Sequence, residues 1–395
     1  MKRFVSFVFL LSLIFTACAP TVATAEAVAT AEPTIAITEE SIATLQSVTA
    51  EESPLPAAIA APLIETPALI KIEMMDETNG WGVTSENIVR TDDGGVTWYD
   101  ITPNDIAGSG YLISPYFFNA VTAWVQFPDM NNYPNGGTLY RTADGGVSWQ
   151  SFSTPFSGGI LHFVNEMDGW ILADLGVGAG SMAISVFHTQ DGGETWQRAY
   201  TNDPNLEGAG DTLPLGGIKG VMLPLNDQTA WVGGVVYATG TIYLFRTDDG
   251  GKTWVQVELP LPTLPPESEL AVEDIHFVSA EQGVIKLRVA SNTTQIILYA
   301  TEDGGNTWSL LPTTFGSSGI LDMPSAKEMI LYSADQFHIT TDAGLSFVSV
   351  TPNIKFGESI VGISFINSQN GWVITDEQAL YRTTDGAVTW SRLIP

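Results

Sequence analysis

Seven near-copies of one acidic turn punctuate the chain: "RTDDGGVTW" from Arg90, "RTADGGVSW" from Arg141, "HTQDGGETW" from His188, "RTDDGGKTW" from Arg246, "ATEDGGNTW" from Ala300, "ITTDAGLSF" from Ile339 and "RTTDGAVTW" from Arg382. The closing aromatics (Trp98, Trp149, Trp196, Trp254, Trp308, Phe347, Trp390) recur about every 49 residues, within the range of propeller blades. A repeat of that size cannot bury its apolar face alone, so it must stack on its neighbours. Two further marks precede each turn. One reads "NGWGV", "TAWVQ", "DGWIL", "TAWVG", "QGVIK", "EMILY" and "NGWVI"; before it stands an alternating stretch such as "IEMM", "YFFN", "LHFV", "IHFV" or "ISFI". Each unit therefore reads strand, turn, strand, loop, strand, tight turn, strand, with period-2 patterning and no helical run. The expected fold is all-β, a seven-bladed β-propeller with four-stranded antiparallel blades.

The turn itself has a local explanation. Its carboxylates (Asp93, Asp144, Asp191, Asp249, Asp303, Asp342 and Asp385) can accept backbone N–H bonds as Asx-turns do. Glycine supplies the positive φ that a hairpin between twisted strands requires. The Thr two residues earlier offers a further bond, and the closing aromatic covers the blade core. Seven like acids spread around a ring cannot converge on one substrate, so the turns read as fasteners.

Thr-x-Asp-x-Gly-x-x-Trp is similar to the Asp box of sialidase-like propellers. Six copies fit, counting Phe347 as the aromatic, and the seventh carries Ala387 at the Gly position. Repeats of the "NGW … YRTxDGGxTW" kind resemble the photosystem II stability/assembly factor family over about residues 68–395. That resemblance implies a seven-bladed, extracytoplasmic, non-enzymatic scaffold that binds protein during assembly. The family's positively charged face has no counterpart here. Arg90, Arg141, Arg246 and Arg382 directly precede a turn Thr, leaving Arg198, Arg288 and Arg392 in the folded part.

The alternative is a glycoside hydrolase or a carbohydrate-binding propeller of the same superfamily. A sialidase needs three converging arginines, which this chain cannot assemble. Xyloglucan-type endoglucanases also carry Asp boxes but pair two propellers around a cleft, and one propeller is present here. All eleven tryptophans belong to the two repeat marks, and none is left as a sugar-stacking platform. The expectation is a protein that is not an enzyme and has no catalytic residues.

Composition restricts partners. Fifteen Lys and Arg against 44 Asp and Glu give a formal charge of −29, which repels phosphate backbones and excludes nucleic acid. His162, His188, His276 and His338 are scattered without metal-ligand spacing, and the oxygen-rich "NDPNLEGAGD" (202–211) lacks a calcium-loop pattern, so no metal or cofactor is expected.

At the N-terminus Lys2 and Arg3 precede an apolar run from Phe4 to Ala17, and "FTAC" ends on Cys18, the single cysteine. This resembles a bacterial lipoprotein signal. It implies a signal peptide over 1–17, a lipidated Cys18, and attachment outside the cytoplasm, at the cell surface or on the periplasmic side. Residues 18–67, rich in Ala, Thr, Glu and Pro, read as a disordered tether, and 68–395 as the propeller. Partners are then the membrane, through the lipid, and an unidentified protein such as a membrane-complex subunit, bound by a monomer.

Loop lengths locate the expected contact face. From the second mark to the turn Thr, repeat one spans 10 residues, while repeats two to five span 18, 19, 16 and 17. The longest connections between repeats, "AYTNDPNLEGAGDTLPLGG" and "ELPLPTLPPESELAV", follow repeats three and four. Both loop types leave a four-stranded blade on the face opposite the acidic turns. Asp129, Asn132, Tyr133, Asp174, Asp203, Asp211 and Tyr237 are the expected contacts there.

Overall fold

The computed structural model describes residues 61–394, apart from 105, 107–111, 317, 318 and 358. The signal segment 1–17, the Cys18 lipidation site and the tether up to residue 60 lie outside the described residues. Among those described, every regular element is a strand and no helix is long and apolar enough to cross a membrane.

The strands form seven four-stranded antiparallel units in chain order, a seven-bladed propeller. In blade 1 they are Leu69–Met74, Gly80–Thr84, Ile88–Thr91 and Trp98–Asp100. The inner strands of blades 2 to 7 are Ser114–Phe117, Gly159–Phe163, Ile218–Pro224, Glu269–Phe277, Gly319–Asp322 and Ile360–Phe365. Blades 4 and 5 share one bridge, Val235 to Ala271, and so read as a single eight-stranded sheet. Blade 1 gains a fifth strand, Leu63–Ile64, paired outside Trp98 and Tyr99. Those two residues fall inside the stretch expected to be tether, so the folded body takes in part of it.

Packing shows why the middle strands read as continuous apolar runs. Met329–Ser333 and Gly371–Thr375 are buried at every position because both sheet faces meet a neighbouring blade, whereas Val255–Gln256 on a rim is exposed. The buried residues fall into seven clusters, each shared by two consecutive blades. An open row of seven blades would have six interfaces, so the seventh cluster closes the ring. It joins Leu69 and Trp98 of blade 1 to Trp372 and Leu380 of blade 7. No strand is exchanged at this closure. Trp372 Nε1 donates to Gly94 O at 2.8 Å, and Met74 N to Ser364 Oγ at 2.8 Å.

The acidic turn has the same wiring in all seven blades. In blade 1, Asp93 Oδ1 accepts the Thr97 N–H at 2.8 Å and Oδ2 the Thr97 hydroxyl at 2.7 Å, while the Thr91 hydroxyl donates to Asp93 and accepts from Gly95 N. The equivalent acceptors are Asp144, Asp191, Asp249, Asp303, Asp342 and Asp385. Each turn is also tied to the turn between the first two strands, as in Gly94 N to Thr78 O and Gly304 N to Glu281 O. Both turn types therefore occupy one end of the propeller. The hydroxyl partner (Thr97, Ser148, Thr195, Thr253, Thr307, Ser346 and Thr389) is the Ser or Thr that stands before every closing aromatic in the sequence.

Between blades the fastening differs. Arg90 lies over Trp81 and donates to Gly145 O of the next turn, and Arg246 lies over Trp231 and donates to Gly304 O. Trp81, Trp124 and Trp170 each send an indole N–H to a carbonyl of the following blade. A buried tryptophan removes about 200 Å² from water, an upper bound of roughly 5 kcal/mol at ~25 cal/mol per Å².

Candidate active site in the channel

One residue of each inner strand stands opposite the second repeat mark. In blade order these are Glu73 opposite Trp81, Tyr116 opposite Trp124, His162 opposite Trp170, Leu223 opposite Trp231, His276 opposite Val284, Asp322 opposite Ile330 and Ser364 opposite Trp372. Equal register puts them in one layer around the channel, toward the end where the turns lie. Six of the seven are polar. Strand alternation brings Asp274, two residues before His276, into the next layer.

These groups act on one another across blades. Tyr116 Oη lies 3.2 Å from His162 Nε2, with ring centroids 4.5 Å apart. Burial pushes the His162 imidazole down to about 4, and His276 lowers it further. His162 is therefore neutral at pH 7, and its tautomer sets the direction of the bond to the phenol; burial, then Glu73, holds that phenol above its usual range. His276 is likewise lowered by burial, with Asp274 opposing.

Three carboxyls are pushed upward. Burial raises Asp322 to about 7; Phe365 N–H at 2.5 Å and Met323 N–H at 2.8 Å pull it down, while Glu73 and Asp274 push it up. Burial also raises Asp274, against His276 and Lys286. Glu73 is raised by burial and held back by Lys71, 3.7 Å away. Its side chain keeps 41% of its surface open to the channel, so the upward push is weaker than full enclosure would give. The layer thus holds a carboxyl that is half protonated near neutrality beside other carboxylates, which is the requirement for moving a proton in acid–base chemistry.

The channel layer was missed in the sequence. A polar residue in each of "IEMM", "LHFV" and "IHFV" was the available signal. Of the four scattered histidines, His162 and His276 are brought together by the ring, while His188 and His338 lie on third strands away from it. Among the described residues no three His, Cys, Asp or Glu are grouped to hold a metal.

The residues expected on the loop face divide. Tyr133 and Tyr237 are 51% and 66% exposed. Tyr133 is raised by burial and, through space, by Asp174 of blade 3. Asp129 Oδ1 and Asp174 Oδ1 accept the N–H groups of Asn131 and Gly176, and Asn132 N donates to Asp129 O. Asp203 closes a separate turn with Asn205, and Asp211 is exposed on the same long connection; no contact joins either to the tyrosines. In repeats three and five the extra residues do not form loose loops. They lengthen the strands into hairpins, Gly169–Gly178 with Ser181–Thr189 and Gly283–Ala290 with Thr294–Thr301.

Comparison with known proteins follows this geometry. No family model matches the sequence. A xyloglucanase from a Paenibacillus species is 25% identical over 341 residues, covering 79% of this chain and 28% of its own length. The chain spans about a third or less of the curated xyloglucanases it matches. Among solved structures, a PL25 ulvan lyase aligns with TM-score 0.50 at 13% identity, covering 83% of this chain and 94% of that one. YCF48 bound to a D1 peptide aligns with TM-score 0.49 at 16% identity, covering 82% and 94%. The ulvan lyase likeness supports the propeller fold and nothing finer. The sequence relatives correct the functional expectation: the curated proteins aligned along this propeller are named xyloglucanases, which overturns both the non-catalytic assembly scaffold and the expectation that the chain is not an enzyme.

Proposed function

We propose that the chain is a glycoside-hydrolase propeller acting on a β-glucan of the xyloglucan kind, with its proton chemistry in the channel layer. The observation that carries this reading is Asp322, a carboxyl held near pH 7 beside Glu73 and Asp274. Asp322 in its protonated form donates to the glycosidic oxygen as the bond to the anomeric carbon breaks. Glu73, whose carboxyl burial raises while Lys71 opposes, takes a proton from the attacking water. A lipid on Cys18 would hold the enzyme outside the cytoplasm, where its polymer is found.

The test is reducing-sugar release from xyloglucan and other β-glucans by the full chain. Asp322→Asn should lower kcat by about 10²–10⁴-fold, the usual scale for a general acid, with a smaller effect on KM. The parent rate should fall as pH rises through about 7, where Asp322 loses its proton. No hydrolysis of any glucan, or an undiminished rate in both Asp322→Asn and Glu73→Gln, would sink the reading.

A further inference from the structure

We propose that the opposite end of the propeller carries a second, non-catalytic carbohydrate site: a stacking surface for a neutral polysaccharide, made by Tyr133 and Tyr237 against the long hairpin of blade 3. The inference rests on the carbohydrate reading above but uses none of the channel residues.

Tyr237 packs on that hairpin and Tyr133 stands near its root. Tyr133, on the blade 2 loop, is within electrostatic reach of Asp174 at the hairpin root. Tyr237, on the blade 4 loop, covers its tip: a Cβ placed on Gly180 would stand 3.1 Å from the Tyr237 ring, so glycine there lets the ring lie down. The two rings are nevertheless 51% and 66% open to solvent, and Met130 on the Tyr133 loop and Val177 in the hairpin are 63% and 58% open. Exposed aromatic and apolar groups collected on three successive blades mark a contact surface.

The surface is held rigid from beneath. The Tyr133 loop is laced by Asp129 N to Gly136 O at 2.9 Å, Asn135 N to Asn132 O at 2.7 Å and Ser157 N to Pro134 O at 3.0 Å. The three N–H groups of the Lys219 ammonium, on a residue 2% exposed, are shared among four carbonyls within hydrogen-bond distance: Met182 at 3.0 Å, Pro214 at 2.6 Å, Leu215 at 2.9 Å and Gly217 at 3.0 Å. Gly217 N in turn donates to Gly180 O at 2.8 Å. One buried ammonium thus pins the hairpin to the connection beside it. Ordering completed before binding does not weaken the complex afterwards.

Charge selects the ligand. Residues 129–137, 174–182 and 236–242 contain no Lys or Arg, and the chain carries −29 overall, so an anionic polymer is repelled. A neutral pyranose chain suits the surface. Its C–H faces stack on the phenol rings, and its hydroxyls donate to Asp129 and Asp174, each of which spends one oxygen on its own turn.

Affinity electrophoresis of the full chain at 4 °C, in gels containing xyloglucan or polygalacturonate, tests this directly. Xyloglucan should retard the parent, and polygalacturonate should not. The double variant Tyr133→Ala, Tyr237→Ala should lose at least tenfold in affinity with unchanged Tm, and the Phe pair should keep most of it. Equal retardation of the Ala pair, or preference for polygalacturonate, would overturn the site. Hydrolysis without retardation would overturn this site alone; retardation without hydrolysis would overturn the channel reading alone.

Discussion

Ala343 and Ala387 occupy left-handed backbone, at φ 60 and 65, in turns where the other blades place glycine. A Cβ in that region costs on the order of 1–2 kcal/mol, partly offset by the greater chain entropy that glycine loses on folding. Ala343 stands at the turn surface, so Ala343→Gly should raise stability by about 0.5 kcal/mol, seen as a higher midpoint in urea. Ala387 is fully buried in the core shared by blades 6 and 7, and its methyl is worth about 0.8 kcal/mol there. Ala387→Gly should therefore give no gain. A larger gain at 387 than at 343 would show that the methyl contact matters less than the backbone strain. The turn carboxylates behave differently from those in the channel: the Thr307 N–H and hydroxyl hold Asp303 down to about 2, and the Ser346 and Thr340 hydroxyls do the same for Asp342. Their contribution is present above the ordinary carboxylate range and is lost only as pH falls toward 2.

At the scale of the strand, the inner strand explains both the new site and its invisibility. The titration of Asp322 has a definite sign. A folded-state carboxyl raised to about 7 binds protons more readily than the unfolded chain between about pH 4 and 7, so its contribution is full at low pH and is lost as pH rises through that window. His162, lowered to about 4, acts oppositely: its contribution is present above about 6.5 and is lost toward 4. The Tm of Asp322→Asn relative to the parent should therefore become more favourable from pH 4 to 7.5. A constant difference would mean that Asp322 titrates normally. Strands and turns were readable from the chain because period-2 alternation and turn chemistry are local. The channel layer takes one residue from each of seven repeats, and a histidine in "LHFV" looks like part of a half-buried strand until the register is known. The two exposed tyrosines were found from loop length, yet the long hairpin that unites them was not, because strand extension and loop insertion look alike in sequence. Function was misread for another reason: the repeat words are shared by hydrolases and by assembly factors, and they describe the fastening, not the site.

At the scale of the whole molecule, seven clusters serve seven interfaces, and the last is made by packing and side-chain hydrogen bonds, without strand pairing. Trp372 is one of two tryptophans at that closure and is fully buried, with its N–H on Gly94 of blade 1. Trp372→Ala should cost about 3–5 kcal/mol and should raise amide exchange first in blades 1 and 7. Uniform loosening of all blades would show that the closure is no weaker than the other interfaces. Because each blade is drawn from its own consecutive run, the circle consists of interchangeable sectors. Duplicating or deleting a run of about 49 residues adds or removes a whole sector and leaves every remaining hydrogen-bonded ladder intact. A ring that trades strands across its seam cannot be edited that way. This one can change its circumference by the same operation that lengthens a solenoid, and each new sector brings another inner-strand position into the channel, open to whatever side chain chemistry requires.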